Sequence, residues 1–221
     1  MPESSRYARF LLRGSFLLIS LLTLWWLLLL DPMLATLRGS VEIFGSLVFG
    51  DDSRRLVSVT PTGDWSLHVP LKFTVRNSSQ PGGPTEFSSI EFDIARSDAI
   101  AFTFSLPVLW AITLAVPGIR RSLRPLVVGT VLMAALEIFM LLAFMEISAR
   151  NAAMQLGRSV GDVSRWVLHF GDYLVVNVIP YTAPFVIATC VHPGLRNQVI
   201  QWQSGPVIPA SSSARRGRRP S

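Results

Sequence analysis

Four runs without a formal charge, Gly14 to Leu30, Ala99 to Ile119, Pro125 to Phe144 and Tyr173 to Leu195, interrupted only by Glu137, constrain this chain more than any other feature. Each is close to the ~20 residues that a helix rising ~1.5 Å per residue needs to cross a hydrocarbon core ~30 Å thick. The first is the shortest, and Phe10, Leu11 and Leu12 lengthen its apolar side while Arg13 can snorkel toward the headgroups. Half of the 221 residues are apolar and 15% are charged, so lipid is the solvent that hides the apolar bulk.

The opening run ends at Asp31, Pro32 and Met33 and lacks the small-x-small cleavage pattern of a secretion signal. Trp25 and Trp26 stand near its far end, where an aromatic belt anchors a retained helix, so the run is expected to be an uncleaved anchor. Arginines then set the orientation. Arg6, Arg9 and Arg13 precede the first run, Arg120, Arg121 and Arg124 lie between the second and third, and Arg196, Arg215, Arg216, Arg218 and Arg219 follow the fourth. The positive-inside rule places these segments in the cytoplasm. The expected organisation is a basic cytoplasmic start at 1–13, crossings at 14–30, 99–119, 125–147 and 173–195, outer segments at 31–98 and 148–172, a cytoplasmic loop at 120–124 and a disordered basic tail at 196–221. The tail arginines are placed to meet anionic headgroups.

The net charge of +6 is therefore a topological signal. No basic patch with interleaved aromatics points to nucleic acid. Lys72 is the sole lysine among 20 basic residues, a codon-usage hint of a GC-rich bacterium. Cys190 stands alone and permits no internal disulfide.

In the longer outer segment, Leu34, Leu37, Val41, Phe44 and Val48 recur at helical spacing and predict a helix along the interface or against the bundle. The period then becomes two. Trp65, Leu67, Val69, Leu71, Phe73 and Val75 alternate with polar residues, LVSVT at 56–60 offers a partner strand, PTGD at 61–64 a turn, and Ile90, Phe92 and Ile94 a third strand. Pro70 argues that the long strand is an edge. The meander is too small for a large core of its own, so its apolar face, headed by Trp65, is expected to rest on the interfacial helix or the outer helix ends. Trp65 and His68 are candidates for a recognition surface, against the plainer reading of a packed tryptophan and a solvated histidine. In the second outer segment, Leu156, Val160, Val163, Val167 and Phe170 face away from Arg158, Asp162, Arg165 and His169, predicting an amphipathic helix that is either a wetted face or a docking surface.

Glu137 is the one acid inside the four apolar runs, and a charge at the bilayer centre costs ~2.5 to 3.5 kcal/mol on insertion scales. A neutral Glu137 has an O–H to donate to Asn177, to Thr182 or to a partner helix. The alternatives are an interhelical bundle contact, a contact to another protein, or proton and substrate handling. Asn177, Pro180, Tyr181 and Pro184 in VNVIPYTAP predict a fourth helix that bends and frees backbone carbonyls, a device of transport sites and of plain structural helices alike. No nucleophile elbow, zinc motif or phosphate loop occurs, His68, His169 and His192 fall in different segments, and no metal or cofactor is expected.

RFLLRGSFLLISLLTLWWLLLLDPML, FSLPVLWAITLAVPGIRR, PLVVGTVLMAALEIFMLLAF and GDYLVVNVIPYTAPFVIA together resemble the exosortase H-associated membrane proteins of bacteria, over nearly the full length to about residue 195. The resemblance implies an accessory role beside exosortase H, a membrane transpeptidase-like enzyme that processes proteins with a PEP-CTERM-like C-terminal signal. That enzyme uses a Cys, Arg and His set, which this chain lacks, since Cys190 falls at the inner end of the fourth crossing. The expected partner is thus an exosortase-type sorting enzyme, with candidate contacts at Glu137, Asn177, Tyr181, Trp65 and His169. A small transporter or transporter subunit using Glu137 and the fourth helix is the competing class, and a membrane hydrolase a third.

The expected fold is a membrane α-helical bundle of four transmembrane helices with a small extracytoplasmic antiparallel β meander and interfacial amphipathic helices, in the bacterial inner membrane, both termini cytoplasmic. Reporter fusions read this directly. Fluorescent protein fused after Arg196 should light up, and alkaline phosphatase fused there should stay inactive; the opposite pattern would refute the topology.

Overall fold

The computed structural model describes residues 4–49, 56–77, 85–117, 119–155 and 161–203. Among them, four helical stretches are long and apolar enough to cross a bilayer, within Phe10–Phe49, Arg96–Ala115, Ser122–Gln155 and Asp162–Val191. A single three-stranded antiparallel sheet accompanies them.

Prolines shape two of these stretches. Helix α1 (Ser4–Leu24) passes through a π-helical turn, Trp25–Leu29, straight into α2 (Leu30–Phe49). Pro32 gives the reason. Its ring collides with the carbonyl four residues back and offers no N–H, and that residue, Leu28, lies inside the widened turn. Helix α6 (Asp162–Tyr173) likewise passes through a π turn, Leu174–Val178, into α7 (Ile179–Val191), and Val176, four before Pro180, lies inside it. In each turn the following N–H is reseated five residues back, Leu30 on the Trp25 carbonyl and Ile179 on that of Leu174. Helices α3 (Arg96–Thr103) and α4 (Ser105–Ala115) meet at Phe104, four residues after Ile100, whose carbonyl takes the Phe104 N–H at 3.2 Å.

Helix α5 (Ile119–Gln155) is the longest element, and its buried stripe, Met133, Glu137, Met140, Leu141, Met145, Ala149 and Ala153, repeats at three and four. It packs on α2, α3, α4, α6, α7 and the sheet. Because lipid is as apolar as leucine, such helices associate through close packing and polar contacts. Gly14 of α1 approaches α4, where an added Cβ would sit 3.6 Å from the Ala115 Cβ, and the Trp110 indole N–H donates to Thr130 Oγ1 at 2.9 Å between α4 and α5.

Strands β1 (Val57–Val59), β2 (Trp65–Asn77) and β3 (Thr85–Ile94) form the sheet in the order β1-β2-β3. Val59, Trp65 and Ile94 align across it, as do Val57, Leu67 and Phe92, and Val69 lies opposite Ile90. This common apolar face rests on α5 and α2, with Phe92 and Phe102 both edge-on to Phe144 at 6.3 and 6.1 Å between ring centres. Fully burying a side chain such as Leu67 or Val69 from water stabilises by about 1.5–3 kcal/mol. Glu42 of α2 fixes the start of β1, its carboxylate accepting from the backbone N–H of Val57 at 2.8 Å and of Leu56 at 3.2 Å.

Several boundaries differ from the sequence expectation. The helix at Leu34 to Val48 is no separate interfacial element; it continues the first crossing, because the π turn absorbs Pro32. Residues 120–124, expected as a loop, are helical: arginines are good helix formers, and the chain reverses before them, at Val116 and Pro117. The expected outer helix at 148–172 is divided between the end of α5 and α6, with Leu156 and Val160 outside the described residues. The expected tail begins inside a short helix, α8 (Pro193–Gln203), and 204–221 lie outside the described residues. Pro70 stands on the central strand rather than an edge. Strand β1 pairs only with Trp65 to Leu67, and the next N–H, of His68, goes to the Leu56 carbonyl, so the N–H-less Pro70 faces a side where β1 has already ended.

Arg96 joins three elements. Its backbone N–H, the first of α3, is accepted by Asp64 Oδ1 at 3.0 Å from the β1–β2 turn, and its guanidinium meets Asp31 Oδ1 at 2.7 Å. That turn needs Gly63, whose φ is +88°, and the Thr62 hydroxyl donates to Asp64 Oδ2 at 2.8 Å. The Arg96 N–H first, then the Thr62 hydroxyl, hold the Asp64 carboxyl below its ordinary value of 3.8. A depressed folded-state pKa contributes stability that is complete above the unfolded value and is lost as pH falls through the folded one. The fluorescence of neighbouring Trp65 should therefore change as pH falls below about 3.8, and Asp64→Asn should lack that component; identical acid titrations in the two proteins would refute the linkage.

Candidate functional site

Glu137 lies on the buried stripe of α5 and is 3% exposed. Its Oε1 accepts the Ser105 hydroxyl at 2.6 Å across the α4–α5 packing. This is the single hydrogen bond of its side chain among the described residues. Beside it is a cavity of about 130 Å³, reached by Thr36, Leu37 and Ser40 from α2 and by Thr103 from α3. The partners expected from the sequence are elsewhere. Asn177 is exposed, and the Thr182 hydroxyl donates to the Val178 carbonyl at 2.9 Å. The face of α5 that carries Glu137 packs on α2 and α4, while Asn177 and Thr182 point away from the bundle.

Asn177 falls within the π turn that precedes Pro180, and its amide makes no hydrogen bond among the described residues. Tyr181, also exposed, edges an apolar groove of about 680 Å³ between α1, α3 and α7, walled by Trp25, Trp26, Leu27, Ile100 and Phe104. Trp25 meets Phe104 edge to face at 6.2 Å. The structure thus separates two features: an enclosed acid, and an uncharged face of the fourth stretch that offers an amide and a phenol.

On α6, Val163, Trp166, Val167 and Phe170 are all exposed, with the Trp166 and Phe170 rings stacked at 5.2 Å. His169 is exposed and lies with Asp162, Arg165 and Asp172, whose one ion pair, Asp162 to Arg165, spans 4.0 Å. Trp65 is 3% exposed and belongs to the core. Trp65 and His68 are on opposite faces of β2, so they do not form one recognition surface, since residues three apart in a strand point oppositely.

Sequence reading missed a buried pair. His192, between α7 and α8, places Nε2 3.3 Å from the Ser122 hydroxyl of α5, while its Nδ1 accepts the Leu195 N–H at 3.3 Å. The same Leu195 N–H also donates to the His192 carbonyl, at 3.0 Å. The residues are 70 apart in sequence and no spacing announces the contact.

The Glu137–Ser105 contact predicts a mutational pattern. Glu137→Ala should lower bundle stability by about 1–3 kcal/mol, while Glu137→Gln, which can still accept from Ser105, should stay within about 1 kcal/mol of wild type. A double-mutant cycle with Ser105→Ala, measured by unfolding in mixed micelles, should give a coupling of about 0.5–2 kcal/mol.

No curated protein and no solved structure matches the chain. A family model does match, over residues 4–193, a span that includes Glu137, Asn177, Tyr181, Trp65 and His169. The chain belongs to the exosortase H-associated membrane protein family.

Proposed function

We propose that this protein is a non-catalytic accessory subunit that assists an exosortase-type enzyme in sorting C-terminally tagged surface proteins, in a bacterial inner membrane with both termini cytoplasmic. The observation that carries the reading is the family match across residues 4–193. Two structural features support it. A polar amide exposed within a proposed crossing, Asn177, has no partner among the described residues, and an unpaired polar group in hydrocarbon is costly, which favours cover by another protein's hydrogen-bonding group. The exposed, stacked rings of Trp166 and Phe170 on α6 offer an apolar ridge for a partner protein. A transporter built on Glu137 and the fourth helix would need both to line one cavity, whereas the Glu137 cavity is walled by α2, α3, α4 and α5.

Affinity purification from gently solubilised membranes should recover the sorting enzyme. Trp166→Ala with Phe170→Ala, or Asn177→Leu, should lower that recovery at least about tenfold, a loss of roughly 1.4 kcal/mol or more, with unchanged amounts in the membrane. Absence of any sorting enzyme under conditions that preserve other membrane complexes would overturn the reading.

A further inference from the structure

Strand β1 has an open side. The ladder fixes which of its backbone groups face there: the His68 N–H goes to the Leu56 carbonyl at 2.8 Å and the Thr60 N–H to the Asp64 carbonyl at 2.9 Å. Bonded positions alternate along an antiparallel pair, so Leu56, Ser58 and Thr60 turn their backbone groups toward β2, while Val57 and Val59 turn theirs away from it. Glu42 takes the Val57 N–H at 2.8 Å. The Val59 N–H and the carbonyls of Val57 and Val59 have no partner among the described residues. An unpaired strand edge of this kind is a template for another strand.

The edge borders a cleft of about 460 Å³ lined by Arg38 and Glu42 of α2 and by Val57, Ser58 and Val59. The two charges of the α2 wall are not equivalent. Both carboxylate oxygens of Glu42 are engaged, by the N–H groups of Leu56 and Val57, whereas the Arg38 guanidinium has neither ion pair nor hydrogen bond among the described residues. Ser58 and Val59 are exposed, so the edge is accessible. An extended peptide backbone supplies the carbonyl and N–H groups that complement this edge, and a carboxylate supplies the counterpart of Arg38. A second copy paired edge to edge would bring another Arg38 and a Glu42 already engaged, so the charges favour a different chain. We propose that the free edge of β1 is a strand-addition site that receives an extended segment of another protein, with an acidic side chain of that segment meeting Arg38. The inference adds a surface that the accessory reading does not use, and it holds or fails independently of whether the other protein is a sorting enzyme.

The test uses the whole protein in lipid nanodiscs and a fluorescein-labelled pentapeptide, Thr-Val-Glu-Val-Thr, blocked at both ends and followed by fluorescence anisotropy. Binding should saturate, weaken as salt is added, and be lost when the peptide amides are N-methylated. Exchanging the peptide's glutamate for glutamine should weaken binding about fivefold, and Arg38→Gln should weaken the acidic peptide by the same factor while leaving the glutamine peptide unaffected. Val59→Pro, which removes the outward N–H and spares the bonds of β1 to β2, should weaken both peptides, with thermal unfolding in the same nanodiscs unchanged. Should Val59→Pro fail to fold, the Arg38 variant and the peptide pair carry the test alone. Absence of saturable binding would overturn the proposal, as would binding that both variants leave unchanged. Binding that emerges only after Asp51 and Asp52 are changed to asparagine would also overturn it and assign the edge to the segment that precedes β1.

Discussion

A peptide group that leaves water for hydrocarbon must find its hydrogen bond within the protein, because the solvent offers none. Proline is the residue that breaks this rule, since it brings no N–H and crowds the carbonyl behind it. In this chain two such prolines, Pro32 and Pro180, are each preceded by a π turn that widens the helix at the crowded carbonyl before it resumes, whereas Pro125 and Pro184 stand inside α5 and α7 without one. Much of the surface follows from that local repair. One additional residue per widened turn rotates everything downstream by about a quarter to a third of a turn. Downstream of the first turn, Leu34, Leu37 and Val41 face the bundle; at the second, Asn177 is left on the outside.

The polar interior is economical in the same sense. A buried acid with an arginine partner would form a stronger pair, yet both charges would have to be desolvated. Glu137 instead takes a serine hydroxyl, which satisfies one of its oxygens, and lines a small, mostly apolar space between helices. Hydroxyls that have given their hydrogens to their own helix backbone, a habit of serine and threonine in membrane helices, become acceptors for whatever enters. The chemistry of that space is thus set by back-bonding within each helix as much as by the acid.

What was legible in the sequence had a period or an anomaly to betray it. The alternation that starts at Trp65 gave the strand, and over Trp65, Leu67 and Val69 its buried face, because side chains of a pleated strand alternate. Glu137 announced itself as an acid in an apolar run. Its partner did not, since Ser105 is 32 residues away on another helix and reads as an ordinary small residue. The continuity of the first crossing into α2 was hidden by Asp31 and Pro32, which together look like a stop; only the widened turn, unseen in composition, lets the helix go on. Pairing Asn177 with Glu137 failed for a related reason. The facing of a helix past a π turn cannot be counted at 3.6 residues per turn, and the choice among neighbouring helices is a matter of packing that no single segment encodes.

Helix α5 has a mechanical consequence. Its 37 residues run unbroken for about 55 Å, from the arginine-rich beginning to the end that supports the sheet, with Glu137 near the middle. A rod of that stiffness carries tilt from one extremity to the other. Ile90 of the sheet packs on Ala153, so a shift of the sheet bears on one extremity of this lever while Ser122 and its contact with His192 lie toward the other.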